Sequence, residues 1–254
     1  MRVCRVSVDD GLAYGVIEGD AVALLAGHPF GEFAPDGRVL RLADARLVAP
    51  VLPSKVIAVG RNYADHAREL GNAVPAGPMV FLKPSTSVIG PGEPIALPWQ
   101  SEQVEHEAEL AVVIGRLCRD VPEDRVPEAV FGYTCANDVT ARDLQKTDGQ
   151  WGRAKGFDTF CPLGPWIQTD LDVDEAAITC RVNGQVRQSG SCAEMVRGIP
   201  ELVSWISSVM TLLPGDVILT GTPAGVGPIV AGDVVSVAID GIGSLTNPVV
   251  DRDR

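Results

Sequence analysis

Glu107-Ala108-Glu109-Leu110-Ala111-Val112-Val113-Ile114, entered through Val104-Glu105-His106, reads as a β-strand that is apolar along most of its length and opens on two carboxylates. Residues two apart in a strand share a face. Glu107 and Glu109 therefore point the same way, ahead of Ala111 and Val113. Two anions leading into a buried strand repel each other unless a cation lies between them. Oxygen ligands of this kind suit Mg2+, Mn2+ or Ca2+ rather than zinc. Spacing alone also allows a solvated edge strand with a charged face.

Downstream, the apolar run Val130 to Asn137 predicts a strand, and Asp138 follows it at the end where ligands often sit. Asp138 would complete a three-carboxylate set that leaves positions for substrate and water. Arg142 and Gln145 fall on the same face if the next turn is helical; the other reading is an N-cap aspartate with a surface arginine. Upstream, Lys55 to Gly60 reads as a buried strand and Asn62 to Leu70 as a short helix. His66 and Glu69 are spaced i, i+3, so a carboxylate can orient an imidazole as a general base, although surface pairs with this spacing are common. Lys155, set among small and aromatic residues, either faces a developing negative charge or snorkels at the surface. Leu219 to Gly227 leads a strand into a glycine-rich turn whose amides, with the Thr222 hydroxyl, can bind a carboxylate. It lacks the lysine and spacing of a phosphate loop.

Further strands are expected at Met79–Lys83, Ile178–Val182, Val217–Thr220 and Val234–Ile239, with short helix at Val126–Ala129. Ile89 to Trp99 reads as loop with short extended pieces. Helix is clearest over Ile199–Met210, where Ile199, Leu202, Val203, Ile206, Val209 and Met210 keep the apolar spacing and Pro200 suits a first turn. The first ~50 residues look like a small module of short strands and turns. Many short strands, few helices and dense turn signals give a mixed, β-rich α+β body, with residues 1–50 as a small N-terminal domain and 51–254 as the catalytic domain.

The 254 residues carry a formal charge of -12 with a pI near 4.6, which argues against nucleic acid and anionic membranes as partners. No apolar run is long enough to span a bilayer and no signal peptide opens the chain, so a cytoplasmic protein is expected. The 6 cysteines, none in a C-x-x-C pair, are read as reduced and mostly buried.

Taken in order, Gly60-Arg61-Asn62-Tyr63 with His66, Phe81-Leu82-Lys83-Pro84, Glu107-Ala108-Glu109-Leu110, Asn137-Asp138 through Leu144-Gln145, Lys155-Gly156-Phe157-Asp158, Pro214-Gly215-Asp216 and Thr220-Gly221-Thr222-Pro223-Ala224-Gly225 resemble the fumarylacetoacetate hydrolase family, in its branch of acylpyruvate hydrolases and 2-hydroxyhepta-2,4-diene-1,7-dioate isomerases. The resemblance runs from about Lys55 to Val250. It implies a β-sandwich roll with a small N-terminal domain, a homodimer, and a Mg2+ ion (or Mn2+ or Ca2+) held by Glu107, Glu109 and Asp138. It implies His66, Glu69 and Lys155 as catalytic residues, and Arg61, Tyr63, Arg142, Gln145 and Thr222 as substrate-binding ones, with Asn62 to Leu70 as a lid. The implied reaction is hydrolytic cleavage of a C–C bond in an acylpyruvate-like 2,4-dioxo acid, of the fumarylpyruvate or acetylpyruvate class. The alternative is an isomerase, tautomerase or decarboxylase of 2-hydroxy-dienedioate or oxaloacetate-like substrates; a binding protein without catalysis is a remote third. In either enzymatic case the substrate is a small anionic 2-oxo acid. Gly156 stands where the family often has serine, which bears on substrate choice. Glu105 and His106 are left outside the site.

Overall fold

The computed structural model describes residues 1–9 and 11–252. Among these, the strands form sheets of 12, 3 and 5 strands. The strand Ala108–Ile114 runs through the middle of the largest sheet, antiparallel to Val130–Asn137 on one side and to Val217–Leu219 on the other. All its residues are buried, because both of its faces meet a core. Leu110, Val112 and Ile114 pack with Ile178, Cys180, Val235 and Val237 of the five-stranded sheet and with the helix Ile199–Val209. Ala111 and Val113 face the opposite way, against Val56, Ala58, Val217 and Leu219. This two-sided burial is why the strand reads as a continuous apolar run. The sandwich, β-rich with few helices, has the expected class and the expected roll of packed sheets.

The helix Ile199–Val209 starts behind Gly198 with proline in its first turn. It buries Ile199, Leu202, Val203 and Ile206 as its spacing predicts, but Val209, its last residue, is exposed. The expected single strand from Glu107 is in fact two, Val104–His106 and Ala108–Ile114, with Glu107 at the break. There the side chain of Asn137 accepts from the Glu107 N–H and the Glu107 carbonyl accepts from Asp138 N–H, which ties two acidic residues together through the backbone.

The first ~50 residues fold as short strands around a small core of Cys4, Val6, Ile17, Val22 and Leu24. Their strands extend the main sheet: Arg2 and Val3 pair with Gln168 and Ile167 of the strand Cys161–Gln168. All 6 cysteines are free thiols. Among the described residues no helix is long and apolar enough to cross a membrane.

Candidate active site

Glu107, Glu109 and Asp138 come together from a strand break, a central strand and a strand end. One carboxylate oxygen of each lies within 4.8 Å of the others, and all three are buried. Glu107 accepts from Arg142 Nη2 at 2.6 Å and from Lys155 Nζ at 2.7 Å. Asp138 accepts from Lys155 Nζ at 2.7 Å and from Lys83 Nζ at 2.6 Å. Glu109 is left with the Gly221 N–H, at 2.7 Å, as its hydrogen-bond donor among the described residues.

The three carboxylates differ in proton affinity accordingly. Burial opposes the charge on Glu107, but Lys155 and then Arg142 overcome it and hold the carboxyl well below the usual range. Burial also raises Glu109, and the charges of Asp138 and Glu107 raise it further, so it stands well above the usual range. Lys155 is held above its ordinary value: burial works against its charge, while Asp138 and Glu107 favour it. A buried carboxylate beside two others and lacking its own basic partner is a place for a cation, and three hard oxygens fit Mg2+ or Mn2+.

These groups line a cavity of about 270 Å³ together with Arg61, His66, Arg142, Gln145 and Thr222. His66 is buried in the helix Ala64–Glu69, with Nδ1 at 3.4 Å from Glu69 Oε2. Glu69 accepts from the Gly225 N–H at 3.1 and 3.2 Å. Asn62 anchors the start of this segment by donating to the Thr220 and Arg197 carbonyls. Gln145 Oε1 accepts from Arg142 Nη1, which leaves its amide N–H groups for the cavity. Three of the five N–H donors of Arg142 are engaged, by Glu105, Glu107 and Gln145, so much of its role is to hold neighbours in place. The Arg61 guanidinium lies over the Trp151 ring at 6.0 Å and has no carboxylate partner among the described residues. Its backbone sits at φ 58°, a region non-glycine residues enter at some cost and often at functional positions.

Tyr63 differs from the expectation. It is buried, its backbone bridges to Met195, and it does not line the cavity. Gly156 also has a local reason. A Cβ there would meet the Gly152 carbonyl at 2.3 Å, so the close backbone approach requires glycine irrespective of substrate.

Three residues at the site were not anticipated from the sequence. Lys83, with a side chain at 0% exposure, holds the outer oxygen of Asp138 and also donates to the Lys155 carbonyl. Glu105 accepts from Arg142 Nε at 2.7 Å and so fixes the arginine that grips Glu107. His106 donates from Nδ1 to Gln188, whose amide in turn donates to the Thr222 hydroxyl at 2.7 Å; burial pushes this imidazole below its usual value. The signal for Glu105 and His106 was their place beside the acidic pair.

A family model described as Fumarylacetoacetate (FAA) hydrolase C-terminal matches residues 55–250, and one described as Rv2993c-like, N-terminal matches residues 1–50. The chain belongs to the fumarylacetoacetate hydrolase family. Members of this family are enzymes, and similar ones have been solved. A 5-carboxymethyl-2-hydroxymuconate delta-isomerase from Mycobacterium smegmatis is 56% identical with a TM-score of 0.94, over 99% of this chain and 100% of that one. A 2-hydroxyhepta-2,4-diene-1,7-dioate isomerase from Mycobacterium marinum is 50% identical with a TM-score of 0.93, over 100% of both chains. An oxaloacetate tautomerase, fahd2, mitochondrial, of Xenopus laevis is 44% identical over 84% of this chain and 70% of its own length. A maleylpyruvate hydrolase from Sphingobium sp. SYK-6, solved in complex with manganese (II) ion and pyruvate, is 34% identical with a TM-score of 0.82, over 100% of both chains.

Proposed function

We propose that this protein is a divalent-cation-dependent tautomerase or isomerase of short 2-oxo dicarboxylic acids, of the oxaloacetate and 2-hydroxy-dienedioate class. The observation that carries the reading is the pairing of three converging buried carboxylates with one acid–base side chain, His66, in a small cavity. The names of relatives between 44% and 56% identical support it over hydrolysis, the first expectation from the sequence.

Glu107, Glu109 and Asp138 would hold the cation, which when bound supplies a Lewis acid for the substrate's 2-oxo and carboxylate oxygens. The residues of the chain do the rest. His66, oriented by Glu69, moves a proton between the carbon next to the 2-oxo group and the enol oxygen, which interconverts the two tautomers without net loss of a proton. Lys155 and the Gln145 amide present N–H groups to the oxygen that gains negative charge. Arg61, unpaired and at the cavity wall, holds the far carboxylate; this favours a diacid over a monoacid such as acetylpyruvate. The cavity is below the size range of sites for drug-sized ligands, which suits a substrate of a few carbons. A homodimer, which the family resemblance implies, and a cytoplasmic location, which the sequence leads one to expect, are part of this reading.

Hydrolysis of an acylpyruvate is the second reading. It is favoured by the same His66–Glu69 pair, which can activate water, and by the pyruvate bound in the maleylpyruvate hydrolase. The deciding experiment follows the enol absorbance of oxaloacetate and of a 2-hydroxy-dienedioate, and pyruvate release from fumarylpyruvate, each with Mg2+ and with EDTA. Cation-dependent loss of enol without pyruvate is expected. Pyruvate release from fumarylpyruvate as the faster reaction would move the assignment to hydrolysis, and inertness towards all three would sink both.

A further inference from the structure

Thr222 lines the cavity, and the hydrogen-bonding sense of its hydroxyl is set by a residue outside it. Gln188 is buried on the strand Gln185–Ser191. Its side chain meets two backbone groups whose roles are not interchangeable. The Ala108 N–H, at 2.9 Å, can only donate, so it requires the amide oxygen. The Pro223 carbonyl, at 2.8 Å, can only accept, so it requires the amide nitrogen. The amide therefore has one orientation. Its oxygen also faces His106 Nδ1 at 3.0 Å, so that nitrogen carries the proton. Its second N–H points at Thr222 Oγ1 at 2.7 Å. Thr222 must accept this bond, and its own proton has no acceptor among the described residues.

We infer that Gln188, itself steadied by Ala108 and His106, is a positioning residue that turns the Thr222 hydroxyl into an obligate donor aimed into the cavity, where it selects a substrate oxygen that is a pure acceptor, a carboxylate or enolate oxygen. This rests on the proposed 2-oxo acid site and specifies one contact within it.

The test uses oxalate, a small dianion of acceptor oxygens only, titrated calorimetrically into the full-length protein with saturating Mg2+, alongside Mn2+ affinity measured without oxalate. Thr222→Val is expected to weaken oxalate about tenfold, the worth of one hydrogen bond to a charged group, and Thr222→Ser to leave it unchanged. Gln188→Met should weaken oxalate to a similar degree, with the double variant no weaker than either single one and Mn2+ affinity unaltered. Should Gln188→Met fail to fold, Gln188→Glu replaces it. That side chain only accepts, so Thr222 turns its proton away from the cavity and oxalate affinity falls at least as far as in Thr222→Val. Additive losses, or parallel loss of Mn2+ affinity, would mean a merely structural glutamine and overturn the inference. Wild-type affinity in Thr222→Val would also overturn it while leaving the proposed function standing. A wild-type protein that takes up no oxalate with Mg2+ would remove the proposed site and this contact together.

Discussion

Replacing Lys83 with methionine is the perturbation that bears most directly on how the acidic centre is held. The two side chains are similar in length, so packing changes little, but Asp138 loses the ammonium 2.6 Å from its Oδ1. Both members of this pair are nearly free of solvent, at 0% and 2% side-chain exposure. Removing one partner of a buried pair costs about 3–5 kcal/mol where the remaining charge is left uncompensated, and because Lys155 Nζ still reaches Asp138 at 2.7 Å the lower end, about 3 kcal/mol, applies. The Lys155 carbonyl loses the same donor, which adds on the order of 1 kcal/mol. For a chain of this size each kcal/mol shifts the melting temperature by about 2–4 °C, so Lys83→Met in EDTA should melt roughly 8–16 °C below wild type. Saturating Mg2+ returns a cation to Asp138, so the deficit should shrink by half or more. Differential scanning calorimetry of both proteins, with EDTA and with Mg2+, measures the four values. A Lys83→Met protein that melts with wild type, or that shows the same deficit with and without Mg2+, would refute the view that Lys83 and a cation share the charge of Asp138.

Other outcomes follow from the same geometry. Glu109 is raised in the folded protein, so the native state keeps its proton over a range where the unfolded chain has lost it; the stability of metal-free protein should fall as pH rises above the ordinary value of 4.5 and through the raised one. Glu107 is displaced the other way, so its contribution is present above 4.5 and is lost only in more acid solution. Thermal melts in EDTA across pH 5 to 8 check this, and Glu109→Gln should flatten the slope while abolishing Mn2+ binding. His66→Gln should lower kcat about 10²–10⁴-fold with Mn2+ affinity unchanged; a retained kcat would remove His66 as the base. Arg61→Met should raise KM for oxaloacetate about tenfold or more, the loss of one charge-assisted contact, with little change for a 2-oxo monoacid; equal losses for both would take Arg61 off the far carboxylate.

The sequence was most legible where one segment carries its own signal. The strands Val56–Gly60, Met79–Lys83 and Val130–Asn137, and the helix starting at Ile199, follow from periodicity and punctuation within a dozen residues. The grouping of Glu107, Glu109 and Asp138 came through the ordered motifs of the family resemblance, because spacing alone left a solvated edge strand and an N-cap aspartate open. What was not legible depends on partners far along the chain. Lys83 sits in a strand where alternation gives no hint of an ion pair, and its partner lies 55 residues away. Glu105 and His106 act through Arg142 and Gln188, at separations of 37 and 82 residues. The break at Glu107 was missed for a similar reason: it is stabilised by the side chain of Asn137 on the neighbouring strand. Nothing within the first ~50 residues shows that they extend the main sheet, since the link is two residue pairs with the distant strand Cys161–Gln168.

The turn Thr220 to Gly225 touches three parts of the centre at once: its amides hold Glu109 and Glu69, and its hydroxyl faces the cavity. Gly221 sits at φ +103°, where a Cβ would strike Asn62, so the turn has almost no freedom to vary. The part of the lining made by Arg61, Leu70, Asn72, Lys146 and Trp151 bears none of these duties. A library designed to change what this enzyme accepts should therefore randomise that part and leave the turn untouched. Wherever two such enzymes differ in substrate, that part is the first place to look for the cause.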